Sequence, residues 1–148
     1  MTVAEDKFSA KFEEIAANIK HRGAYYQEDA SEKGMALIEA KFKDTKLYWL
    51  ADVKEDRIFS ARFFAYGGKV SLVVGETLCS MVEGLTVDEA CSLLKTDVEV
   101  KLRDNPDVAS VPESKLKAFD TVEELLKLVK DQYISAKGVA IASASINK

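Results

Sequence analysis

The chain has 148 residues, 47% of them apolar, and its 21 basic and 25 acidic side chains give a formal charge of −4 at pH 7. A chain of this length buries roughly 70% of its unfolded surface, so we expect one hydrophobic core. The lysines are interleaved with carboxylates along the sequence, which disfavours nucleic-acid binding because phosphate neutralisation needs clustered positive charge.

The sequence also indicates a compartment. Residues 1–6 lack the basic and apolar segments of a secretory signal. The apolar runs are far shorter than the roughly 20 residues that cross a bilayer. Cys79 and Cys91 are too few for a disulfide framework and are expected to be free thiols. We therefore expect a cytoplasmic protein without membrane association.

The amino-terminal part of the chain predicts one helix and one loop. Thr2 and Glu5 have the spacing of a capping box, and the apolar residues that follow recur at helical intervals, which indicates an amphipathic helix ending near residues 21–23. Residues 25–34 show no clear period and are predicted to form a polar loop. The apolar residues of the helix are Phe8, Phe12, Ile15, Ala16 and Ile19.

Three strands are predicted next. Apolar and polar residues alternate over residues 36–43, the pattern of a strand with one buried face. A turn at residues 44–45 leads to a second strand over residues 46–53, and a charged turn leads to a third over residues 58–66. The short connections imply an antiparallel meander.

The second half of the chain has mainly helical periodicity. Residues 70–82 predict a helix, and Thr86 with Glu89 repeats the capping-box spacing at the start of another. Residues 96–103 fit both a helix and a strand, and we favour a short helix.

The end of the sequence completes the predicted fold. Residues 122–133 form the clearest amphipathic helix, whereas residues 135–148 are small and polar and are expected to be a flexible tail. No repeat or linker marks a second domain, so residues 1–134 are predicted to form a single domain. The predicted class is α+β, with a three-stranded antiparallel sheet and helices packed on one face and around its edges.

One segment carries a family resemblance. Residues 61–68 read Ala-Arg-Phe-Phe-Ala-Tyr-Gly-Gly, which resembles the Ala-Arg-Phe-x-x-Tyr-Gly-Cys segment of the IscU and NifU amino-terminal family of iron–sulfur cluster scaffolds. The resemblance continues through Thr-x-Asp-Glu-Ala at residues 86–90 and Lys-Thr-Asp at residues 95–97. It extends over residues 6–133 and implies the fold of that family.

The resemblance implies a scaffold site that has lost its ligands. The three cysteines that hold the cluster in the family fall on Phe42, Gly68 and Ala118, whose side chains have no donor atom for iron. The family aspartate falls on Asp44 and is retained. No bound metal, iron–sulfur cluster or other cofactor is therefore expected, and the ring of Phe42 is expected to fill part of the old site.

The resemblance also implies a remnant of a chaperone-recognition segment. The Leu-Pro-Pro-Val-Lys motif of the family falls on residues 111–115, where only the apolar Val111, one proline, Pro112, and Lys115 remain. Recognition by a chaperone is accordingly not predicted.

Other candidate residues have simpler interpretations. Cys79 and Cys91 could replace the lost ligands, but each lies among apolar residues of its helix, which favours core positions. His21 is the only histidine and is expected at a solvent-exposed helix end. Asp44 is equally compatible with a turn residue that bonds to local amides. Residues 67–69, Gly-Gly-Lys, lack the other residues of a phosphate loop and indicate a turn with positive φ.

The sequence thus predicts a cluster-free binding or regulatory module of the iron–sulfur assembly machinery, with a cysteine desulfurase or another assembly protein as partner. It is predicted not to be an enzyme, because no nucleophile–base pair has supporting spacing. The docking face is expected at Phe8, Phe12 and the adjoining Arg22. Two alternatives remain open: a metal or iron–sulfur carrier with non-standard ligands, and a small-molecule-binding protein that reuses the scaffold pocket.

Overall fold

The fold contains six α-helices, one 3-10 helix and three strands within residues 7–146, the part of the chain that the computed structural model describes; side chains are described up to residue 142. The predicted capping pair, Thr2 and Glu5, lies outside these residues. No helix within them is both long and apolar enough to span a bilayer. The elements are α1 (Ala10–Ala17), α2 (Gln27–Lys33), β1 (Ala36–Phe42), β2 (Thr45–Asp52), β3 (Arg57–Ala65), α3 (Lys69–Val82), α4 (Val87–Cys91), α5 (Lys95–Lys101), the 3-10 helix (Glu113–Phe119) and α6 (Asp120–Ile146).

The three strands form one antiparallel sheet in the order β1-β2-β3, which confirms the predicted meander. Trp49 in the central strand lies opposite Ile38 in β1 and Ala61 in β3. The two hairpin turns place Lys43 and Asp56 at a φ of 53°. The first turn therefore lies one residue earlier than the sequence predicts.

The core lies between one face of this sheet and the helices. Alternate residues of each strand point inward, as strand geometry requires, and α6 packs along β1 while α3 packs against β3. A side chain at Gly75 of α3 would place its Cβ 2.5 Å from the ring of Phe63, so only glycine allows this helix to approach the strand so closely. The buried sheet residues include Ala36, Ile38, Ala40, Leu47, Trp49, Ile58, Ala61 and Phe63.

Helix α1 is shorter than the sequence predicts. It begins at Ala10 because Ser9 is its N-cap, with the Ser9 hydroxyl accepting a hydrogen bond from the Phe12 amide at 3.0 Å. The carboxylate of Asp104 accepts from the amides of Ala10 at 2.6 Å and Lys11 at 3.0 Å. The Asp104 contacts come from a distant loop and have no signal in the sequence, whereas Ser9 is a local N-cap that the sequence does contain.

The predicted polar loop over residues 25–34 is wrong, because most of it forms α2. The Asp29 side chain accepts from the Tyr26 amide at 2.7 Å, and Gly34 ends the helix in the left-handed region at a φ of 66°. Ala30 is fully buried and anchors the helix. A single buried residue gives no apolar period, so the sequence pattern of this helix is the same as that of a polar loop.

Two helical predictions in the second half are confirmed. Thr86 and Glu89 form a reciprocal capping box, with the Thr86 amide donating to Glu89 at 2.9 Å and the Glu89 amide donating to Thr86 at 3.1 Å. The ambiguous segment that follows is the short helix α5.

Helix α6 continues past Tyr133 to Ile146, so residues 135–146 are helical where the sequence predicted a flexible tail. Ala140 is buried against the core, and small residues of this kind allow close packing without a wide apolar stripe. The Lys137 amine lies 2.7 Å from the Asp56 carboxylate, to which the Tyr133 hydroxyl also donates. These groups fasten the β2–β3 turn to α6. A domain boundary at residue 134 stays a prediction.

Candidate functional site

Asp44 joins the β1–β2 hairpin to the start of α3. Its Oδ2 atom accepts a hydrogen bond from the Ser71 hydroxyl at 2.8 Å, and its Oδ1 atom accepts from the Thr45 hydroxyl at 3.1 Å. The Asp44 carbonyl accepts from the Tyr66 amide at 3.0 Å. The carboxylate is thus both a turn group and a link between two elements.

The two glycines before α3 have different physical roles. A Cβ at Gly67 would lie 1.5 Å from the Asp44 Oδ2 atom, so the missing side chain gives the carboxylate its place. Gly68 has a φ of 113°, and a Cβ there would meet no neighbour within 4 Å. Residue 68 is therefore glycine because of its backbone conformation, as the sequence predicts.

The other two positions matched to family cysteines lie on separate elements. Phe42 ends β1 and is half-buried against the core, and Ala118 lies in the 3-10 helix, which packs on α3. The hydrogen bond from Lys95 lowers the pKa of Asp120, and the charges of Lys43 and Lys117 lower it further. Lys43, in the hairpin next to Phe42, is therefore close enough to Asp120, two residues after Ala118, to lower the pKa of its carboxyl.

The chemistry of these positions does not suit iron. Asp44 is the single donor group among the four matched residues, and both of its oxygens already accept hydrogen bonds. Within residues 7–146, no three His, Cys, Asp or Glu side chains lie in an arrangement that could hold a metal ion. A cluster held by the usual three thiolates has no ligands here.

Comparison with family models matches residues 8–138 to the NifU-like N-terminal domain. The chain belongs to this family. It is the family of iron–sulfur cluster assembly scaffolds that the sequence resemblance indicated, and its members work with the assembly machinery. None of the curated proteins matches the sequence.

Two solved structures are similar to this member of the NifU-like family. A candidate iron–sulfur cluster assembly scaffold of the SUF system from Fervidobacterium islandicum is 18% identical, with a TM-score of 0.58 over 82% of this chain and 95% of that one. A NifU-like amino-terminal domain from Brucella abortus is 14% identical, with a TM-score of 0.49 over 84% and 94% of the two chains. The first of these likenesses shows the shared fold.

The two cysteines of this NifU-like chain differ in burial. Cys79 is fully buried in the core on α3, and burial raises the pKa of its thiol well above the usual range. Cys91 is half-buried at the end of α4, and burial raises the pKa of its thiol to about 11. The thiolate is the reactive form, so neither cysteine is activated at neutral pH.

We predict that the two thiols label at different rates. At neutral pH Cys79 should resist alkylation until the protein unfolds, and Cys91 should react slowly because its thiolate fraction is small. Mass spectrometry after timed iodoacetamide treatment measures both rates, with Cys91→Ser as the control that isolates Cys79. Rapid labelling of native Cys79 would contradict its core position.

His21 is not at a solvent-exposed helix end, contrary to the sequence expectation. Its Nδ1 atom lies 2.6 Å from Glu76, its Nε2 atom lies 3.0 Å from Glu83, and its side chain is 18% exposed. The amides of Lys20 and His21 donate to the same Glu76 carboxylate at 3.0 and 2.8 Å. Both glutamates come from α3 or its C-cap, so His21 fastens the segment after α1 to that helix.

These contacts change the proton affinity of the ring. Burial acts to lower the pKa of His21, but the hydrogen bonds to Glu76 and Glu83 outweigh it, and the pKa is raised above its usual value of 6.5. As the pH rises, the unfolded state therefore loses the proton of His21 at a lower pH than the folded state does. The stabilisation is present below pH 6.5 and is lost as the pH rises through the raised pKa.

We predict a histidine-dependent loss of stability at alkaline pH. The free energy of unfolding should fall as the pH rises above 6.5 and through the raised pKa of His21, and His21→Gln should make this fall smaller because glutamine does not titrate. Urea unfolding across the pH range measures the slope. An unchanged slope in His21→Gln would show that the imidazole does not carry the effect.

The chaperone-segment remnant is split by burial. Val111 is 2% exposed and belongs to the core, whereas Pro112 is half-buried and Lys115 is exposed at the surface. The one apolar residue of the remnant therefore faces inward. The remnant therefore presents Pro112 and Lys115 at the surface, but not Val111.

A buried carboxylate that the sequence reading overlooked anchors this region. Glu99 is 5% exposed and accepts from Arg103 Nη2 at 2.6 Å, from the Ser110 amide at 2.8 Å and from the Ser110 hydroxyl at 2.7 Å. Burial acts to raise the pKa of Glu99, but the hydrogen bonds from Arg103 and Ser110 lower it overall. The spacing of Glu99 and Arg103, four residues on a helix, was the available signal.

Proposed function

We propose that this protein is a cluster-free binding or regulatory module of the iron–sulfur assembly machinery. In this role it presents the scaffold fold to a partner, most directly a cysteine desulfurase, and does not assemble a cluster with the usual ligands. One observation carries the proposal: a chain that belongs to the family has Phe42, Gly68 and Ala118, none with a donor atom, at the positions that the sequence resemblance matches to the three cysteines. The proposal assigns the protein no reaction of its own.

The state of Asp44 supports the proposal. A lone carboxylate cannot retain a cluster that normally needs thiolates on several sides. This carboxylate is also engaged, since Ser71 and Thr45 donate to its two oxygens. Asp44 thus stabilises the junction of the hairpin with α3 after the thiolates have gone.

Docking and sulfur acceptance have different requirements. A partner docks through a broad surface with a few strong contacts, whereas sulfur acceptance needs an accessible thiolate at a particular loop. Of the residues predicted for docking, Phe12 is not available to a partner because it is fully buried, and the ring of Phe8 stacks on it at 4.5 Å. Arg22 is exposed and remains the residue to test there.

We predict that the protein binds the host's own cysteine desulfurase but receives no sulfur from it. Calorimetric titration at moderate salt measures binding, and mass spectrometry after addition of L-cysteine measures sulfur on each chain. Arg22→Glu should weaken the complex by about tenfold, because reversing an interfacial charge adds repulsion. Lys33→Glu, at an exposed position on α2, is the matched control.

The possible results distinguish the cluster-free module from the carrier with non-standard ligands. Absence of binding to both the desulfurase and the host scaffold, in protein shown to be folded, would overturn the proposal. Transfer of sulfur to Cys79 or Cys91 would instead support the carrier with non-standard ligands. The burial of both thiols argues against that carrier.

One cavity favours a second candidate function, the binding of a small molecule. A cavity of about 440 Å³ lies between α5 and the 3-10 helix, on residues that flank Ala118. This volume is within the range of small-molecule sites, roughly 300–1,000 Å³. A thermal-shift screen tests this candidate. Thr96 lines the cavity, so Thr96→Trp narrows it. A ligand that raises the melting temperature of the natural protein but not of this variant would locate binding in the cavity.

A further inference from the structure

The sheet face opposite the core carries a contiguous row of aromatic rings. The ring of Tyr48 lies 6.2 Å from that of Phe64, edge to face, and the ring of Phe64 lies 6.1 Å from that of Tyr66 at an angle of 17°. Tyr66 is 77% exposed at the end of β3. Tyr48 and Phe64 are each half-buried, so all three rings offer some apolar area to solvent.

Three lysines border these rings. Lys41 and Lys43 are exposed, and the amine of Lys46 lies 4.7 Å from the centroid of Tyr48, a cation–π distance. Lys46 also lies 3.2 Å from Glu39 on the neighbouring strand. Strand alternation and the hairpin turn bring the three lysines together, although they are separated by other residues in the sequence.

These groups surround a shallow cavity of about 280 Å³. Its lining has three lysines and one carboxylate, that of Asp44, which accepts hydrogen bonds from Ser71 and Thr45. With Lys46 paired to Glu39, Lys41 and Lys43 still outnumber the Asp44 carboxylate, so the surface is locally positive on a chain whose formal charge is −4. We name it the lysine–tyrosine face, and its residues are Lys41, Lys43, Asp44, Thr45, Lys46, Tyr48, Phe64 and Tyr66.

We propose that the lysine–tyrosine face binds an acidic segment of a partner protein that also carries aromatic or aliphatic side chains. Carboxylates of the segment would pair with Lys41 and Lys43, and its apolar side chains would pack on Tyr66 and Phe64. Charge complementarity selects the partner and speeds its association, while the buried ring area supplies affinity. This surface is distinct from the α1 region tested above, so the inference goes beyond the proposed function.

The charge of the whole molecule favours a short protein segment over a nucleic acid. A long polyanion would meet repulsion from the net negative charge outside the face. A segment of several residues needs only the local lysines and the aromatic row. Single-stranded DNA, which also uses lysines and stacking rings, is therefore an outcome of the test and not the proposal.

Fluorescence anisotropy with a labelled ten-residue peptide of glutamate and phenylalanine tests the proposal on the full chain. Lys41→Glu/Lys43→Glu should weaken peptide binding by about tenfold, since each change removes an attraction and adds a repulsion. Lys101→Glu/Lys130→Glu, with the same change in charge at exposed helix positions, should have less than about a twofold effect. Circular dichroism confirms that each variant is folded.

A second pair of variants tests the rings. Tyr66→Ala should weaken binding severalfold, whereas Phe59→Ala, which removes a 56% exposed ring elsewhere on β3, should not. Equal losses in the two lysine variants would reduce the effect to net charge and overturn the proposal. No peptide binding, or tighter binding of an oligothymidine of the same length, would overturn it as well.

Discussion

After anaerobic incubation with ferrous iron and sulfide, the natural sequence is expected to stay colourless, whereas Phe42→Cys/Gly68→Cys/Ala118→Cys is expected to gain thiolate-to-iron charge-transfer absorption. The natural side chains at these positions have no donor atoms, and the substitutions supply three thiolates at the positions that the resemblance matches to the family cysteines. The Asp44 carboxylate already lies beside the start of α3. Absorption and iron content after desalting measure the difference.

The three cysteine substitutions are expected to destabilise the fold to different extents. Residue 68 has a φ of 113° and a ψ of −167°, a conformation adopted almost only by glycine, so any side chain there is strained by roughly 1–3 kcal/mol, although no neighbour obstructs it. Phe42 is half-buried, and its replacement removes part of the packing at the end of β1. Thermal unfolding should therefore show a less stable but folded protein before iron is added.

The matched control is Phe42→Ser/Gly68→Ser/Ala118→Ser, which has the same shape changes without thiolates. It should remain colourless with iron and sulfide. Colour that survives desalting in the natural protein would contradict the cluster-free proposal and direct attention to Cys79 and Cys91. A colourless cysteine variant that is folded would show that the three positions do not converge as the family resemblance implies.

Glu99→Ala is expected to lower the free energy of unfolding by about 1–3 kcal/mol, the usual effect of leaving buried donors, here those of Ser110, without their acceptor. The variant leaves the buried amide and hydroxyl of Ser110 without their acceptor, while the guanidinium of Arg103 loses Glu99 but still donates to the Pro106 carbonyl. Because the pKa of Glu99 is lowered in the folded state, its stabilisation is present above the unfolded pKa and is lost as the pH falls through the folded one. Urea unfolding measures both effects.

The double variant Glu99→Leu/Arg103→Met is the control for this prediction. Replacing both members of a buried pair by apolar groups of similar size costs much less than breaking the pair, because no charge is left unpaired. The control leaves the Ser110 donors without their acceptor, as Glu99→Ala does, but leaves no unpaired charge and fills the space of the side chain, so it should be more stable than Glu99→Ala. If Glu99→Ala unfolds at the same urea concentration as the natural protein, the network does not stabilise the loop before the 3-10 helix.

The sheet was predictable because its signal is local. Alternation over β1, and short turns between strands, determine the face and pairing without help from distant residues. The capping box at Thr86 and Glu89 was predictable for the same reason. Helix α2 was not, because one buried alanine and a tyrosine N-cap leave no period and no standard capping residue.

The site was predictable in chemistry more than in geometry. Donor atoms can be read from residue types, so the lack of thiolates at Phe42, Gly68 and Ala118 needed no structure. The contacts of His21 with Glu76 and Glu83 join residues more than 50 positions apart, and no spacing in the sequence indicates them. Likewise, the lysines of the lysine–tyrosine face look interleaved in the sequence and meet only when the hairpin folds.

The fastening of the β2–β3 turn to α6 has a consequence for synthesis on the ribosome. Asp56 and Lys137 are separated by 81 positions, and α6 also packs along β1. The hairpins therefore emerge from the ribosome long before the helix that covers them. The inner face of the sheet, including Trp49, stays uncovered until α6 has been synthesised. During that interval the nascent protein exposes the apolar inner face of the sheet, and exposed apolar surface of this kind favours aggregation.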